Sequence, residues 1–307
     1  MALQTDGGIQ LMRFNIAGAF SKSVELKLYF VRNKPLIKKL NLTVYDGINN
    51  CSWNGGRINR DIYYDDDTVD FYYRNNINIA LTFTNPVIDI NDRVGNELLE
   101  KFHRAGNVII SINDELLSYV RDLYPLYKHT RSITGFGKIS VPMSDQDMSL
   151  YRELEGRYDY IVPRCEHVFD ERFVDLTQSK YEVMLNDTCL YNCPYYGQHF
   201  EAIAEQNRLY EKPWEEAGQK KMYDVEECWL SDRSTYLKSS GFDPDIGHEP
   251  TIDKYGDEYG MDLKDSQIKF LIERGISNFK ITGREMTFND YNNELNRYLR
   301  NYNESDA

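Results

Sequence analysis

From residue 77 onward the chain alternates in short steps between apolar runs and segments of helical periodicity, and few architectures accept that alternation. "INIALTFTN" (77–85) reads as a strand that is apolar on both faces. "GNELLEKFHRAG" (95–106) then sets Leu98, Leu99, Phe102 and Ala105 on one side of a helix and stops at a glycine. "NVIISIN" (107–113) is the next strand, and Asp114 reads as the cap of "DELLSYVRDLYP". The pattern continues with strands at 127–135, 158–164 and 181–187, separated by helices at 146–157 and 170–178. A helix at 265–275, a strand at 276–283 and an amphipathic helix at 288–303 close the chain.

Strands apolar on both faces belong to parallel sheets covered by helices. "LKLYFV" (26–31) and "LNLTVYDG" (40–47) read as two earlier strands, which makes about eight in series. The expected fold is therefore an α/β (β/α)8 TIM-like barrel. Two polar stretches, 50–75 and 212–262, are expected as long βα-loop insertions on its C-terminal face, where barrels build their sites. With no repeat, linker or low-complexity tract, residues 1–307 read as a single domain.

The net charge of −13 repels phosphate backbones and argues against non-specific nucleic-acid binding. No apolar run approaches the roughly 20 residues of a membrane helix, and the N-terminus lacks a secretory pattern. The expectation is a cytoplasmic protein with no membrane segment. Five cysteines at uneven spacing do not form a disulfide framework, and in a reducing compartment clustered cysteines point to metal or catalysis.

The cysteines fall where that chemistry could operate. "KYEVMLNDTCLYNCPYYGQHF" (180–200) ends a strand at Asn186 and then places Cys189 and Cys193 four residues apart, with Pro194 suited to the first turn of a following helix. A helix N-terminus favours thiolates. Cys51 follows the second expected strand, Cys165 the sixth, and Cys228 lies in the second insertion, so all five map to βα-loops of one barrel face. Four together would suit a four-cysteine zinc site or a [4Fe–4S] cluster. Singly, a cysteine is usually a small buried hydrophobe, and a C-x3-C step is less diagnostic than a doubled C-x2-C.

These motifs carry a resemblance. "YEVMLNDTCLYNCPYYGQHF", the later Cys228, "GISNFKITGRE" (275–285) and "VYDGINNCSWNGGR" (44–57) together resemble the peptidase U32 family and its U32-like relatives, over roughly residues 40–300. The resemblance implies a TIM-like barrel with a cysteine-bound [4Fe–4S] cluster. Its better understood members look like oxygen-independent hydroxylases of quinone precursors or RNA bases, despite the peptidase name. Carried over, Cys189, Cys193 and Cys228 match the late cysteine motif. Cys51, at its spacing after Tyr45 and Gly47, is the expected fourth ligand, with Cys165 as the alternative.

Lys280 alternates with Phe279 and Ile281 and so faces into the barrel, where a lysine is costly unless it meets an anion or a carboxylate. Lys280, Arg284 and His199 are the expected catalytic residues, and Arg57 and Asn186 the expected substrate-binding ones. "DDD" (65–67) reads as a solvated loop. No H-E-x-x-H, G-x-S-x-G or P-loop pattern is present, and a cysteine–histidine hydrolase would have to recruit His167 or His199.

The expected function is oxygen-independent hydroxylation, or a related redox modification, of a small anionic or nucleobase-like substrate. Pairing as a homo- or heterodimer is compatible with the resemblance. The alternatives are a barrel with structural zinc acting as a binding or assembly subunit, and a U32-type peptidase.

Overall fold

The computed structural model describes residues 2–5, 8–55, 62–137, 139–186, 200, 204, 262–283 and 286–300. A short antiparallel hairpin of β1 (Ala2–Thr5) and β2 (Gly8–Leu11) precedes the main sheet. Eight parallel strands follow: β3 (Arg13–Ala17), β4 (Asn41–Asp46), β5 (Asn78–Phe83), β6 (Val108–Ser111), β7 (Lys128–Arg131), β8 (Tyr160–Ile161), β9 (Glu182–Met184) and β10 (Asn278–Ile281). Their order is β8-β7-β6-β5-β4-β3-β10-β9. A parallel bridge between Ile161 and Tyr181 joins the two ends, so the sheet closes into a TIM-like barrel.

Helices cover the outside: α1 (Ser23–Arg32), α2 (Lys34–Ile37), α3 (Asp66–Arg74), α4 (Arg93–Lys101), α5 (Asp114–Leu123), α6 (Asp145–Arg157), α7 (Asp265–Glu273) and α8 (Phe288–Arg300). Each strand sends alternate residues outward to meet them. Phe14 on β3 stacks on Phe279 of β10 at 5.8 Å in that outer layer. Caps follow the helix starts: Asn113, one residue before the expected Asp114, accepts from Leu116 N at 3.0 Å, and Ser144 forms a capping box with Asp147.

Two expectations fail at the N-terminal end. "LKLYFV" (26–31) is not a strand but the body of α1, burying Leu26, Tyr29 and Phe30 while Val24, Leu28 and Val31 lie exposed. A helix apolar on both sides leaves the same composition as a buried strand. The first barrel strand is instead β3, "RFNIA", whose inward residues include Arg13 and Asn15. The "DDD" stretch is also not a loop. Asp65 caps α3 by accepting from Thr68 N at 2.8 Å, and Asp66 and Asp67 sit in its first turn, where the helix dipole favours carboxylates. The first insertion is shortened accordingly.

Candidate functional site in the barrel lumen and at its C-terminal mouth

In a parallel sheet, residues in register share a face. Asn15 is in register with Thr43 and with Lys280, so these three point the same way. Contacts that skip a strand show that this way is inward. Asn15 Nδ2 donates to Glu182 Oε1 at 3.0 Å, Arg13 donates to Glu182 Oε2, and Lys280 Nζ lies 3.8 Å from Glu182 Oε1. Arg13 stacks over the Tyr160 ring at 4.1 Å, and Lys280 over the Tyr45 ring at 4.2 Å. Most barrel lumens are filled by branched aliphatic side chains. Here Ala17, Tyr45, Ala80, Val108 and Ile110 form an apolar cluster, and β3, β9 and β10 supply charge.

Glu182 is fully buried, Arg13 is 3% exposed and Lys280 6%. Taking such ions out of water costs several kcal/mol each, and their contacts with one another and with the Tyr rings offset that cost. Further buried polar atoms around this lumen, Arg13 Nη2, Asn15 Oδ1, Thr43 Oγ1 and Thr130 Oγ1, have no hydrogen-bond partner among the described residues. The lumen is thus polar on one side and has unused hydrogen-bonding capacity.

Asn186 marks the mouth. Its Oδ1 accepts from Thr282 N at 2.8 Å, and its Nδ2 donates to Thr282 O and to Glu294 Oε2, each at 3.3 Å. Thr282 Oγ1 donates to Asn186 O at 2.6 Å. This side chain ties the end of β9 to the end of β10, so any substrate contact would compete with that tie. Glu294 beside it is pushed up from the usual carboxylate range, first by burial and then by Asp262.

Cys51 and Cys165 are both buried, in the loops that follow β4 and β8. The Cys51 loop leans on β5: Asn54 N donates to Cys51 O at 3.1 Å, Asn85 N to Trp53 O at 3.0 Å, and Gly55 packs on the Thr84 backbone. The Cys165 loop is braced by its neighbours. Arg164 grips Glu166 through two hydrogen bonds, at 3.1 and 2.6 Å. His167 Nε2 faces Ser140 O at 2.8 Å and so carries the proton, while Nδ1 accepts from the Tyr151 hydroxyl at 3.0 Å. Burial lowers the His167 pKa, in agreement with a neutral ring. A histidine held at both nitrogens is not poised as the base of a hydrolase.

Cys189, Cys193, Cys228, His199, Arg57 and Arg284 lie outside the described residues. Among the described residues, no three His, Cys, Asp or Glu side chains form a metal-binding group. No described helix is long and apolar enough to cross a membrane.

No family model matches this chain, and no curated protein matches it. Among solved structures, that of the U32 peptidase Mk0906 is similar, with a TM-score of 0.48 and 8% identity, covering 92% of this chain and 96% of that chain.

Sequence reasoning missed Arg13, Asn15 and Glu182. One signal was available: Glu182 sits in "YEVML" at a position alternating with Tyr181 and Val183, both buried on the other face. A carboxylate at the inward parity of a barrel strand requires a cation, and Lys280 was already expected to face inward.

Proposed function

We propose that this chain is an iron–sulfur-dependent enzyme of the U32-like type, performing oxygen-independent hydroxylation or a related redox modification of a small anionic or nucleobase-like substrate. The observation that carries the reading is the adjacency of β9 and β10. Leu185 N donates to Lys280 O at 2.8 Å, so the chain leaves β9 beside the buried lysine. The Cys189–Cys193 pair begins three residues beyond Asn186. In the sequence the expected cysteine donors follow β9, and the buried Lys280 lies on its neighbour β10, an arrangement in keeping with the motif resemblance.

Cys189, Cys193 and Cys228 would hold the cluster, with Cys51 or Cys165 as the fourth ligand. Both candidates are buried thiols on C-terminal loops, the donor type that such a cluster takes. When bound, the cluster supplies electron transfer. The chain's own contribution is charge and exclusion of water: Lys280, held by Tyr45 and Glu182, offers an ammonium to an anionic group, and Arg284, Arg57 and His199 are its expected companions around the mouth.

Metal and sulfide analysis with a visible spectrum, on protein purified without oxygen, tests the reading, with Cys189→Ser beside it. About four irons and four sulfides per chain, lost in the variant, is the expected result. One zinc and no colour would replace it with a structural staple, and no metal would remove the mechanism.

A further inference from the structure

The outer side of α1 is apolar where a barrel helix ordinarily meets water. Val24, Leu28 and Val31 are 62%, 42% and 62% exposed, and at i, i+4 and i+7 they share one side of the helix. Leu26, Tyr29 and Phe30 are buried on the opposite side. One buried stripe is enough to hold a helix on a sheet, so the second stripe is surplus to the fold. No other described helix exposes more than one large apolar residue: Leu123 on α5, Leu150 on α6 and Phe288 on α8.

The helix beneath this stripe is tied on both sides. Lys27 Nζ donates to Thr68 Oγ1 of α3 at 2.9 Å, and the Phe30 ring meets Tyr72 of α3 edge-on at 6.4 Å. On the other side Arg300 Nη2 of α8 donates to Asn33 Oδ1 at 2.9 Å. The stripe is therefore presented in a fixed geometry, and docking on it orders little of this chain.

Charge says what suits it. Residues 21–41 hold Lys22, Lys27, Arg32, Lys34, Lys38 and Lys39 against Glu25 alone, in a chain of net charge −13. Glu25 lies 3.5 Å from Lys22. Arg32, Lys34, Lys38 and Lys39 are exposed, and none of the four meets a carboxylate among the described residues. A second copy on a two-fold axis would set this basic patch against itself. An anionic lipid surface would repel the acidic body that carries it. A helix with apolar residues on one side and carboxylates beside them complements both the stripe and its basic end.

We propose that the exposed side of α1 is a docking surface for an acidic amphipathic helix of another protein. The apolar side of that helix lies on Val24, Leu28 and Val31, and its carboxylates meet Arg32, Lys34 and Lys38. The inference goes beyond the proposed redox chemistry and does not depend on it.

The test is fluorescence anisotropy of a labelled synthetic peptide titrated with the full chain. The peptide places leucine at i, i+3, i+4 and i+7 and glutamate between, over about 20 residues. A scrambled peptide of the same composition is the comparison. The amphipathic peptide is expected to bind saturably, and the scrambled one at least about tenfold more weakly. Raising salt from about 0.1 M to about 1 M, which shortens the Debye length from about 10 Å to about 3 Å, should weaken binding several-fold. Leu28→Ser and the double variant Lys34→Glu/Lys38→Glu should each weaken it by about tenfold or more, with unchanged Tm because all three side chains are exposed. Leu123→Ser, on α5, should change nothing. No saturable binding, equal binding of the scrambled peptide, or unchanged affinity in either α1 variant would overturn the proposal. Binding to phosphatidylserine vesicles, or self-association in sedimentation, that Leu28→Ser abolishes would also overturn it, by giving the face to a membrane or to a second copy. Iron content enters none of these readouts, so failure here is distinct from failure of the cluster reading.

Discussion

Asn15 on β3 donates to Glu182 on β9 at 3.0 Å although β10 lies between the two strands. Such a bond needs a sheet curved around the face that both side chains share. It makes Glu182 the common partner of Asn15, Arg13 and Lys280, and that shared dependence can be tested.

Glu182→Ala leaves two buried cations without their carboxylate. A loss of about 3–5 kcal/mol in urea unfolding is expected, with Glu182→Gln less severe because it keeps an acceptor for Asn15. Replacing Arg13 and Glu182 together by methionine should recover part of the loss, since an apolar pair of similar volume avoids the desolvation cost. Wild-type stability in Glu182→Ala would refute the network.

Gly95 gives a second test, in α4. A Cβ there would lie 2.4 Å from Trp53 Cε3, and Trp53 is held by donation from Nε1 to Asp89 O at 2.7 Å and by an edge contact with Phe83 at 5.1 Å. Alanine improves helix propensity by about 1 kcal/mol, but overpacking costs about 1–3. Gly95→Ala is expected to destabilise in a thermal melt and to disturb the loop that carries Cys51. An unchanged or raised Tm would count against this packing.

His129 should make stability depend on pH. It is 2% exposed, neither ring nitrogen has a partner among the described residues, and burial, helped by Arg121, lowers its pKa from 6.5 to about 4. Between these values the unfolded chain takes the proton and the folded chain does not. Stability therefore falls as pH drops from about 6.5 to about 4, by about 3 kcal/mol in all, and this contribution is constant outside that window. His129→Phe should flatten that part of the curve in unfolding measured across the range. An equally steep curve in the variant would assign the acid sensitivity to other groups.

Ring position sets apart the two candidates for a fourth ligand of the proposed cluster. β8, which precedes Cys165, closes against the chain leading into β9 through the Ile161–Tyr181 bridge. β4, which precedes Cys51, is separated from β9 by β3 and β10. If iron is present, Cys165→Ser is expected to lose more of it than Cys51→Ser. The reverse order would restore the spacing argument from Tyr45 and Gly47.

Most strands after residue 40 were legible because their outward residues are apolar, as at Leu42 and Val44 of β4, Ile79 and Leu81 of β5 and Ile109 of β6. The inward side of β4, β5 and β6 is also largely small or apolar, as at Ala80, Val108 and Ile110. β3 was not legible, because its inward Arg13 and Asn15 break that run, and α1 was misread because Val24, Leu28 and Val31 extend its apolar character to the solvent side. Of the candidate site, the inward face of Lys280 could be read from alternation with Phe279 and Ile281. Its partner was missed: the inward parity of Glu182 offered a signal, but Glu182 lies 98 residues away in the chain and nothing local pairs the two.

Local periodicity and capping, which act over a few residues, determine the order of strands and helices, and the one-sided burial of each helix makes a parallel, helix-covered sheet the outcome. Whether that sheet closes, and which residues then face one another across the lumen, depends on register summed over all eight strands. Arg13 and Glu182, 169 residues apart, meet only once β10 has paired with both β3 and β9. A buried charge is tolerable only once its partner is in place, so the tertiary structure alone decides whether these side chains are a liability or a site.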